Sequence, residues 1–540
     1  MQTISLQQGL LSAMNTLRLK IPTSKYKSYL LGTIFYKYLS DNMLYNVWEL
    51  LMDEPNGTLD QAQKLYETNV GRKDLITELY LSLGYVIEPA DTYTSILKSV
   101  KNNNFKVTQL ESAFNKLEES FPYFRGIFSD YDLYSNELGN TAQKRANTIA
   151  EVLQVIGKIE LVKTPGDSLG DAYEYLLSQF ASEAGKKAGE FYTPQPVSEL
   201  LTRLTLLDKD YSAGMTVYDP TMGSGSLLLN FRKYTTEPNR ITYYGQEINT
   251  FTYKLAKMNL ILHNVEQACR NLRNRDTLDE DWPEEEPTTF DAVVMNPPYS
   301  LKWSADKSFL NDPRFASYGV LPPKSKADYA FLLHGYFHLK HSGVMSIVLP
   351  HGVLFRGGTE GKIRQQLLEN GAIDAVIGLP ANMFYSTGIP TVVLVLKKDK
   401  QDRDVMFIDA SKGFEKVKTQ NKLREEDIEH ILAAYTTRED IKKYAHLAKF
   451  EEIKENDFNL NIPRYVDTFE EEPPVDAHKL ANSLIDVHKE EIKLIAEIKH
   501  FGDELVGTNS QGQQVLNELK NACEVIQKNN NNTENPISSR

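Results

Sequence analysis

The chain has 540 residues, of which 41% are hydrophobic and 25% charged, with a formal net charge of −13. At the usual ~150 residues per domain this predicts about three domains, and the composition is that of an ordinary globular protein. The acidic balance argues against a chain that grips DNA unaided, because self-sufficient DNA readers carry a clear basic footprint.

The opening MQTISLQQGL lacks the basic start and apolar core of a signal peptide. Residues 1–160 read as a helical domain. In SKYKSYLLGTIFYKYLSDNMLYNVWELL the positions Leu30, Ile34, Phe35, Tyr38 and Leu39 recur at three- and four-residue steps, as one face of a helix would. FKVTQLESAFNKLEES and TAQKRANTIAEVLQVIGKI repeat that period. The most apolar piece, SYLLGTIFYKYL, is interrupted by lysine and falls far short of the ~20 residues a membrane span needs. Cys269 and Cys523 are far apart and form no disulfide framework or zinc spacing, and the histidines show no metal spacing. The expectation is a cytoplasmic protein without a metal site.

Pro165 and Gly166 punctuate TPGDSLGDAYEYLL, where a helix is predicted to start after Asp167 or Ser168. A catalytic domain is expected over residues 161–470. Short apolar runs, MTVYDP, ITYYGQEI, FDAVVMN, VMSIVLP, AIDAVIGL and TVVLVLKK, alternate there with helical segments. That alternation predicts an α/β fold, a Rossmann-like, mostly parallel sheet covered by helices, whose ligands bind beyond the carboxyl ends of the strands.

Four stretches carry chemistry. MTVYD runs into DPTMGSGSLLL, where Gly223 and Gly225 permit positive φ and close ligand approach before a helix that begins near Ser226. The pattern is neither G-x-G-x-x-G nor a P-loop, and a tight strand-to-helix turn is the plainer alternative. ITYYGQEIN places Glu247 at the next strand end, 22 positions beyond Gly225, where an acid suits two vicinal ribose hydroxyls. Asp276 in LRNRDTL could accept a bond from an adenine amino group or could equally be a helix N-cap. In FDAVVMNPPYS the strand must stop at Asn296, because Pro297 and Pro298 have no N–H for a ladder, and Tyr299 adds a flat ring.

Beyond about residue 415 the chain is charge-rich up to the EEEPP turn, and residues 471–540 read as a helical assembly region. HKLANSLIDVHKEEIKLIAEIKHF carries a stripe of Leu484, Ile492, Ile495 and Ile498 that needs a partner surface. GTNSQGQ is expected to break that helix, QQVLNELKNACEVIQ to resume it, and KNNNNTENPISSR to be disordered.

The order of glycine turn, ribose acid, adenine acid and N-P-P-Y resembles that of the S-adenosylmethionine-dependent amino-methyltransferases of DNA. GEFYTPQPVSELL resembles the family's contact with the methionine end of the cofactor, which implies that Glu190, Phe191, Tyr192, Thr193, Pro194 and Gln195 border S-adenosylmethionine together with Asp219, Gly223, Ser224, Gly225, Ser226, Glu247 and Asp276. YLLGTIFYKYLSD and NLNIPRYVDT look specifically like the methyltransferase (M) subunit of type I restriction-modification systems. The resemblance covers nearly the whole chain.

The chemistry of the target explains the odd turn. The exocyclic nitrogen of adenine is a poor nucleophile because its lone pair is delocalised into the ring. Asn296 Oδ1 and the Pro297 carbonyl are suited to accept its two N–H bonds, Pro298 stiffens the turn, and Tyr299 offers a stacking face to a flipped base worth roughly 1–3 kcal/mol. The resemblance implies N6 methylation of adenine in duplex DNA, with Asn rather than Ser before P-P-Y favouring adenine over cytosine N4. It also implies a partner specificity (S) subunit bound by two copies of this chain, and a restriction (R) subunit. ADYAFLLHGYFHL and ANMFYSTGIPTVVLVL resemble walls of the base pocket, although Phe331 and Phe384 are the kind of residue that more often fills a core. Two other readings are a methyltransferase fold without activity and a self-sufficient enzyme with its own target-reading domain. Intact Asp219, Gly223, Glu247 and Asn296 oppose the first, and the acidic carboxyl region opposes the second.

Overall fold

The computed structural model describes residues 2–22, 25–52, 57–162, 168–184, 192–207, 209–279, 282–283, 287–384, 387–417, 420–468 and 476–532. They form two compact units, Met1–Thr468 and Phe469–Arg540.

The amino-terminal helices are α1 (Gln2–Arg18), α2 (Tyr26–Met52), α3 (Leu59–Asn69), α4 (Lys73–Leu83), α5 (Tyr93–Lys101), α6 (Val107–Ser120) and α7 (Ala142–Ile156). Their ends follow local chemistry. Thr58 and Gln61 form a reciprocal capping box on α3, the Thr92 and Thr141 hydroxyls cap α5 and α7, and Gly84 at φ +78° closes α4. Helix α2 departs from the expected single stripe: Tyr29 through Lys37 are all buried. Helices α1, α3, α4, α5 and α7 surround it, so a helix that is apolar on every side lies at the centre of the bundle. Lys37 and Asp41 form an ion pair within that core, and Phe114 stacks on Phe128 with centroids 4.1 Å apart.

Next come α8 (Ser168–Ala184), α9 (Gln195–Leu206), β1 (Met215–Asp219), α10 (Ser226–Tyr234), β2 (Ile241–Gln246), α11 (Thr250–Leu262), β3 (Leu272–Arg273), β4 (Phe290–Met295), α12 (Asp328–Phe337) and β5 (Leu339–Pro350). They are followed by α13 (Gly358–Glu369), β6 (Ile373–Gly378), β7 (Thr391–Lys397), β8 (Val405–Asp409), the small hairpin β9 (Glu415–Val417) and β10 (Gln420–Lys422), α14 (Glu425–Thr437), β11 (Ala445–Ala448) and α15 (Phe450–Glu455). The large sheet has the order β11-β8-β6-β7-β5-β4-β1-β2-β3. Its pairings are parallel from β3 to β5 and between β6 and β8, as the alternation of strands and helices predicts. Strand β7 lies antiparallel to both β5 and β6, and β11 antiparallel to β8. The linker from β6 to β7 contains no helix among its described residues, and a chain without a crossover must return antiparallel. Strand interiors such as Val392–Leu396 are fully buried, which explains their unbroken apolar runs.

The second unit contains α16 (Ala477–Glu504) and α17 (Ser510–Asn532), which pack together and are tied by Lys499–Glu524 and Lys520–Asp503 ion pairs, each 3.2 Å. The break expected at GTNSQGQ is present, but α17 continues to Asn532, into a segment expected to be disordered. Buried Leu516 and Cys523 anchor that helix, and extending an anchored helix costs little per residue. Residues 533–540 lie outside the described residues. Among the described residues no helix is long and apolar enough to cross a membrane.

Candidate active site

The strand ends that the sequence singles out meet at one edge of the sheet. β1 pairs with β2 on one side and β4 on the other, so Asp219 ends one strand while Glu247 and Asn296 directly follow its two neighbours. Between β1 and α10 the chain turns through Gly223 at φ +55° and Gly225 at φ +78°, a region where a side chain would be strained. Gly225 precedes the first residue of α10, Ser226, as predicted. The turn is stitched to β2 by Met222 N–H donating to the Gln246 carbonyl at 2.9 Å, and Asn259 Nδ2 donates to the Ser224 carbonyl at 3.0 Å. The Ser224 and Ser226 hydroxyls lie 3.1 Å apart and share a hydrogen bond.

Glu247 grips the same turn. Its carboxylate accepts the Gly223 N–H at 3.1 Å and the Asn249 N–H at 2.8 Å. Asp219 is buried, and its donors among the described residues are the Thr221 N–H at 2.9 Å and the Thr221 hydroxyl at 3.3 Å. Burial pushes its carboxyl up to about 8, with the Glu247 charge adding to the rise. Asp276 caps no helix: it accepts the Leu278 N–H at 2.9 Å in a tight turn, which removes the N-cap reading. Glu247 and Asp276 line one cavity of about 220 Å³ with Thr221, Pro298, Leu301 and Phe331. Phe331 is therefore a wall of this cavity as well as a core residue.

Asn296 is half-buried and held at both ends. Its Nδ2 donates to Thr193 Oγ1 at 3.2 Å, and its Oδ1 accepts the Tyr299 hydroxyl at 2.7 Å. The Tyr299 ring stands edge-on to Phe384, 5.9 Å away at 85°, so Phe384 supports the tyrosine. The Tyr299 hydroxyl was not expected to be engaged, and burial and the nearby Asp328 charge raise it well above its ordinary value. Behind the turn, Ser300 at φ +53° donates its N–H to Asp328 Oδ1 at 2.7 Å, and Arg356 holds the other Asp328 oxygen at 2.6 Å. Asp328 was not recognised in the sequence. The available signal was an acid opening the helix of ADYAFLLHGYFHL, 29 positions beyond Tyr299.

The segment before α9 is partly seen. Glu190 and Phe191 lie outside the described residues. Tyr192 and Thr193 are buried, Pro194 precedes the first turn of α9, and Gln195 Nε2 donates to Asn230 Oδ1 of α10 at 2.7 Å. Tyr192, Pro194 and Gln195 line a second cavity, about 520 Å³, with Glu174 and Lys233, distinct from the one lined by Glu247 and Asp276. The link from this segment to the N-P-P-Y turn is the Thr193–Asn296 bond.

Comparison with known proteins decides the family. Residues 164–473 match the N-6 DNA Methylase family, and residues 6–156 match the HsdM N-terminal domain. The chain belongs to the N-6 DNA methylase family. This methylase is 36% identical over 501 residues to the type I restriction enzyme MpnII methylase subunit of Mycoplasma pneumoniae, spanning 88% of this chain and 91% of that one. It is 31% identical to the MjaVII methylase subunit of Methanocaldococcus jannaschii, over 88% and 81% of the two chains. The crystal structure of the type I restriction-modification methyltransferase subunit from Streptococcus thermophilus superposes with a TM-score of 0.84 at 54% identity, covering 86% of this chain and 100% of that one. The methylase is thus an adenine-N6-specific DNA methyltransferase of the type I modification kind, and the cytosine-N4 alternative gives way.

Proposed function

We propose that the methylase takes its methyl group from S-adenosylmethionine, with the adenosine end between Glu247 and Asp276 and the methionine end toward Asp219 and the segment Tyr192 to Gln195. The observation that carries this reading is the convergence of an acid-lined cavity, a glycine turn and Asn296 beyond the ends of adjacent strands. The chemistry of the residues fits the cofactor. Asp219 is a buried carboxyl whose pKa burial raises to about 8, with the Glu247 charge adding to the rise, and a cationic amino-acid end would offset that cost. Pro298, Leu301 and Phe331 give the cavity apolar walls suited to a purine.

When bound, the cofactor supplies an electrophilic methyl on a sulfonium centre. Glu247 accepts the ribose hydroxyls while it holds the tip of the glycine turn through Gly223 N–H. Asp276 accepts the adenine amino group. Asn296 Oδ1 and the Pro297 carbonyl accept the two N6 hydrogens of the target base, which localises its lone pair for transfer by alignment. Tyr299 stacks on the flipped base.

The substrate of this reading is duplex DNA, and the base reader is a separate specificity subunit bound by two copies of this chain. A restriction subunit completes the complex, in the cytoplasm of a bacterium or archaeon. The net charge of −13 and the exposed stripe of α16 support a chain that works through partners. Calorimetric titration with S-adenosylmethionine, followed by tritium transfer to duplex DNA with the specificity subunit present, tests the reading. The intact chain should bind the cofactor and the complex should label adenine N6. An intact chain with no affinity for S-adenosylmethionine would sink it.

A further inference from the structure

Each of the three acids has a chain neighbour in one buried polar network. Tyr218 precedes Asp219, Gln246 precedes Glu247, and Thr277 follows Asp276. The Tyr218 hydroxyl lies 2.6 Å from Gln246 Oε1 and 2.8 Å from both the Trp282 carbonyl and His334 Nε2. On the other ring nitrogen, Arg314 Nη1 sits 3.1 Å from His334 Nδ1. The same guanidinium donates to the Thr277 carbonyl at 2.9 Å, to the Leu278 carbonyl at 3.1 Å and to Asp312 at 2.7 Å. Thr277 in turn donates its hydroxyl to the Pro220 carbonyl, beside Asp219. Tyr218, Gln246, Arg314 and His334 are all buried.

Donor logic gives this network a direction. Arginine has only donors, so His334 Nδ1 must accept and Nε2 must carry the proton. Nε2–H then donates to Tyr218, whose own proton goes to Gln246 or to the Trp282 carbonyl. A neutral imidazole of one tautomer is therefore built between a buried guanidinium and the ends of β1 and β2. Arg314 belongs to the connection between the N-P-P-Y turn and α12, far in sequence from the loops it holds.

We propose that Arg314, acting through His334 and Tyr218, is a positioning residue that sets the spacing of Asp219, Glu247 and Asp276, and so lets the cavity select an adenine-bearing ligand. The proposal rests on the assignment of the adenosine end to that cavity. An ion pair with the half-buried Asp312 alone would hold only Arg314's own loop and would leave ligand choice unaffected. The two roles differ in what they do to selectivity.

The test measures binding of S-adenosylhomocysteine and of its 6-oxo counterpart, S-inosylhomocysteine, to the full-length chain by calorimetry. The second probe lacks the amino group that Asp276 accepts, so the native chain should prefer the first by about tenfold or more. Arg314→Met and His334→Leu should reduce that preference to within about twofold, because the Asp276 loop and the β1 and β2 ends are no longer in register. His334→Gln should keep it, since its Oε1 can accept from Arg314 and its Nε2–H can donate to Tyr218. If Arg314→Met fails to fold, the contrast between His334→Leu and His334→Gln still decides. Folded variants that bind both probes more weakly but keep the native preference would overturn the positioning role. A native chain that binds the two probes equally would instead overturn the assignment of the cavity to adenosine.

Discussion

The Tyr299 hydroxyl donates to Asn296 Oδ1 at 2.7 Å, so the turn's aromatic ring is tied to the amide beside it. Thr193 takes the other end of the same carboxamide. The amide is therefore oriented before any base arrives, and its oxygen keeps a second lone pair for an N–H of the substrate. Tyr299→Phe removes one orienting bond worth about 1 kcal/mol and leaves the ring, so methyl transfer should stay within about fivefold of native. Tyr299→Ala removes the stacking face and should lose nearly all activity. Tritium transfer, with 2-aminopurine fluorescence reporting the extruded base, separates the two; equal loss in both variants would rule out stacking.

Asn296→Ala should abolish transfer while cofactor binding stays within about twofold of native, because the amide acts on the base. Thr193→Val, which leaves the carboxamide in place but frees its Nδ2, should lower kcat by about tenfold with a smaller change in KM for DNA. Steady-state kinetics on the assembled complex reads both. Turnover above a few per cent in Asn296→Ala would remove its assigned role.

Glu247→Ala should weaken S-adenosylmethionine binding by about 1–3 kcal/mol, the cost of deleting a charged hydrogen-bond acceptor. The loss is compound, because the same carboxylate also holds the N–H groups of Gly223 and Asn249. Glu247→Gln keeps one acceptor oxygen and should recover part of the affinity. An unchanged dissociation constant in both variants would mean that the ribose is held elsewhere.

Asp219 gives the binding reaction a pH dependence. Burial raises its carboxyl to about 8 in the ligand-free chain, and a cationic ligand would favour the ionised form. Binding should therefore release a proton near neutral pH, and affinity should rise as pH increases toward 8 and then level off. For folding the sign is opposite: a raised carboxyl contributes stability that is fully present below its unfolded value of ~3.9 and is lost as pH rises through its folded value. Asp219→Asn should abolish the proton release, measured by calorimetry in buffers of different ionisation enthalpy. Its ligand-free melting temperature should also fall less than the native one between pH 5 and pH 9.

Of the stripe on α16, Leu484, Ile492 and Ile498 are exposed while Ile495 is buried. Truncation after Asp476 removes both helices of the second unit. The truncated chain should still bind cofactor but no longer assemble with the specificity subunit or methylate a defined site. Light scattering after size-exclusion chromatography, with and without that subunit, checks this; normal assembly by the truncated chain would show that the stripe is not the docking surface.

What the sequence determined by itself was local. A strand that runs into paired prolines must stop, so the end of β4 just before Asn296 was legible, and so was the turn at Gly223 and Gly225 that launches α10 at Ser226. Spacing alone left the role of Asp276 open, and family resemblance only implied roles for these residues. Tertiary structure decided whatever depends on distant partners. Helix α2 was read from one stripe of its sequence, but it is buried on every side because neighbouring helices enclose it. Strand β7 runs antiparallel because its linker carries no crossover helix among its described residues, although its apolar run reads like that of the parallel strands. Arg314 was invisible for the same reason, and Asp328 showed only as an acid at the start of its helix. Neither the seating of Ser300 by a carboxylate nor the clamping of the loop after Asp276 by a guanidinium is written in its own neighbourhood, because the groups that need it arrive only when the sheet has formed.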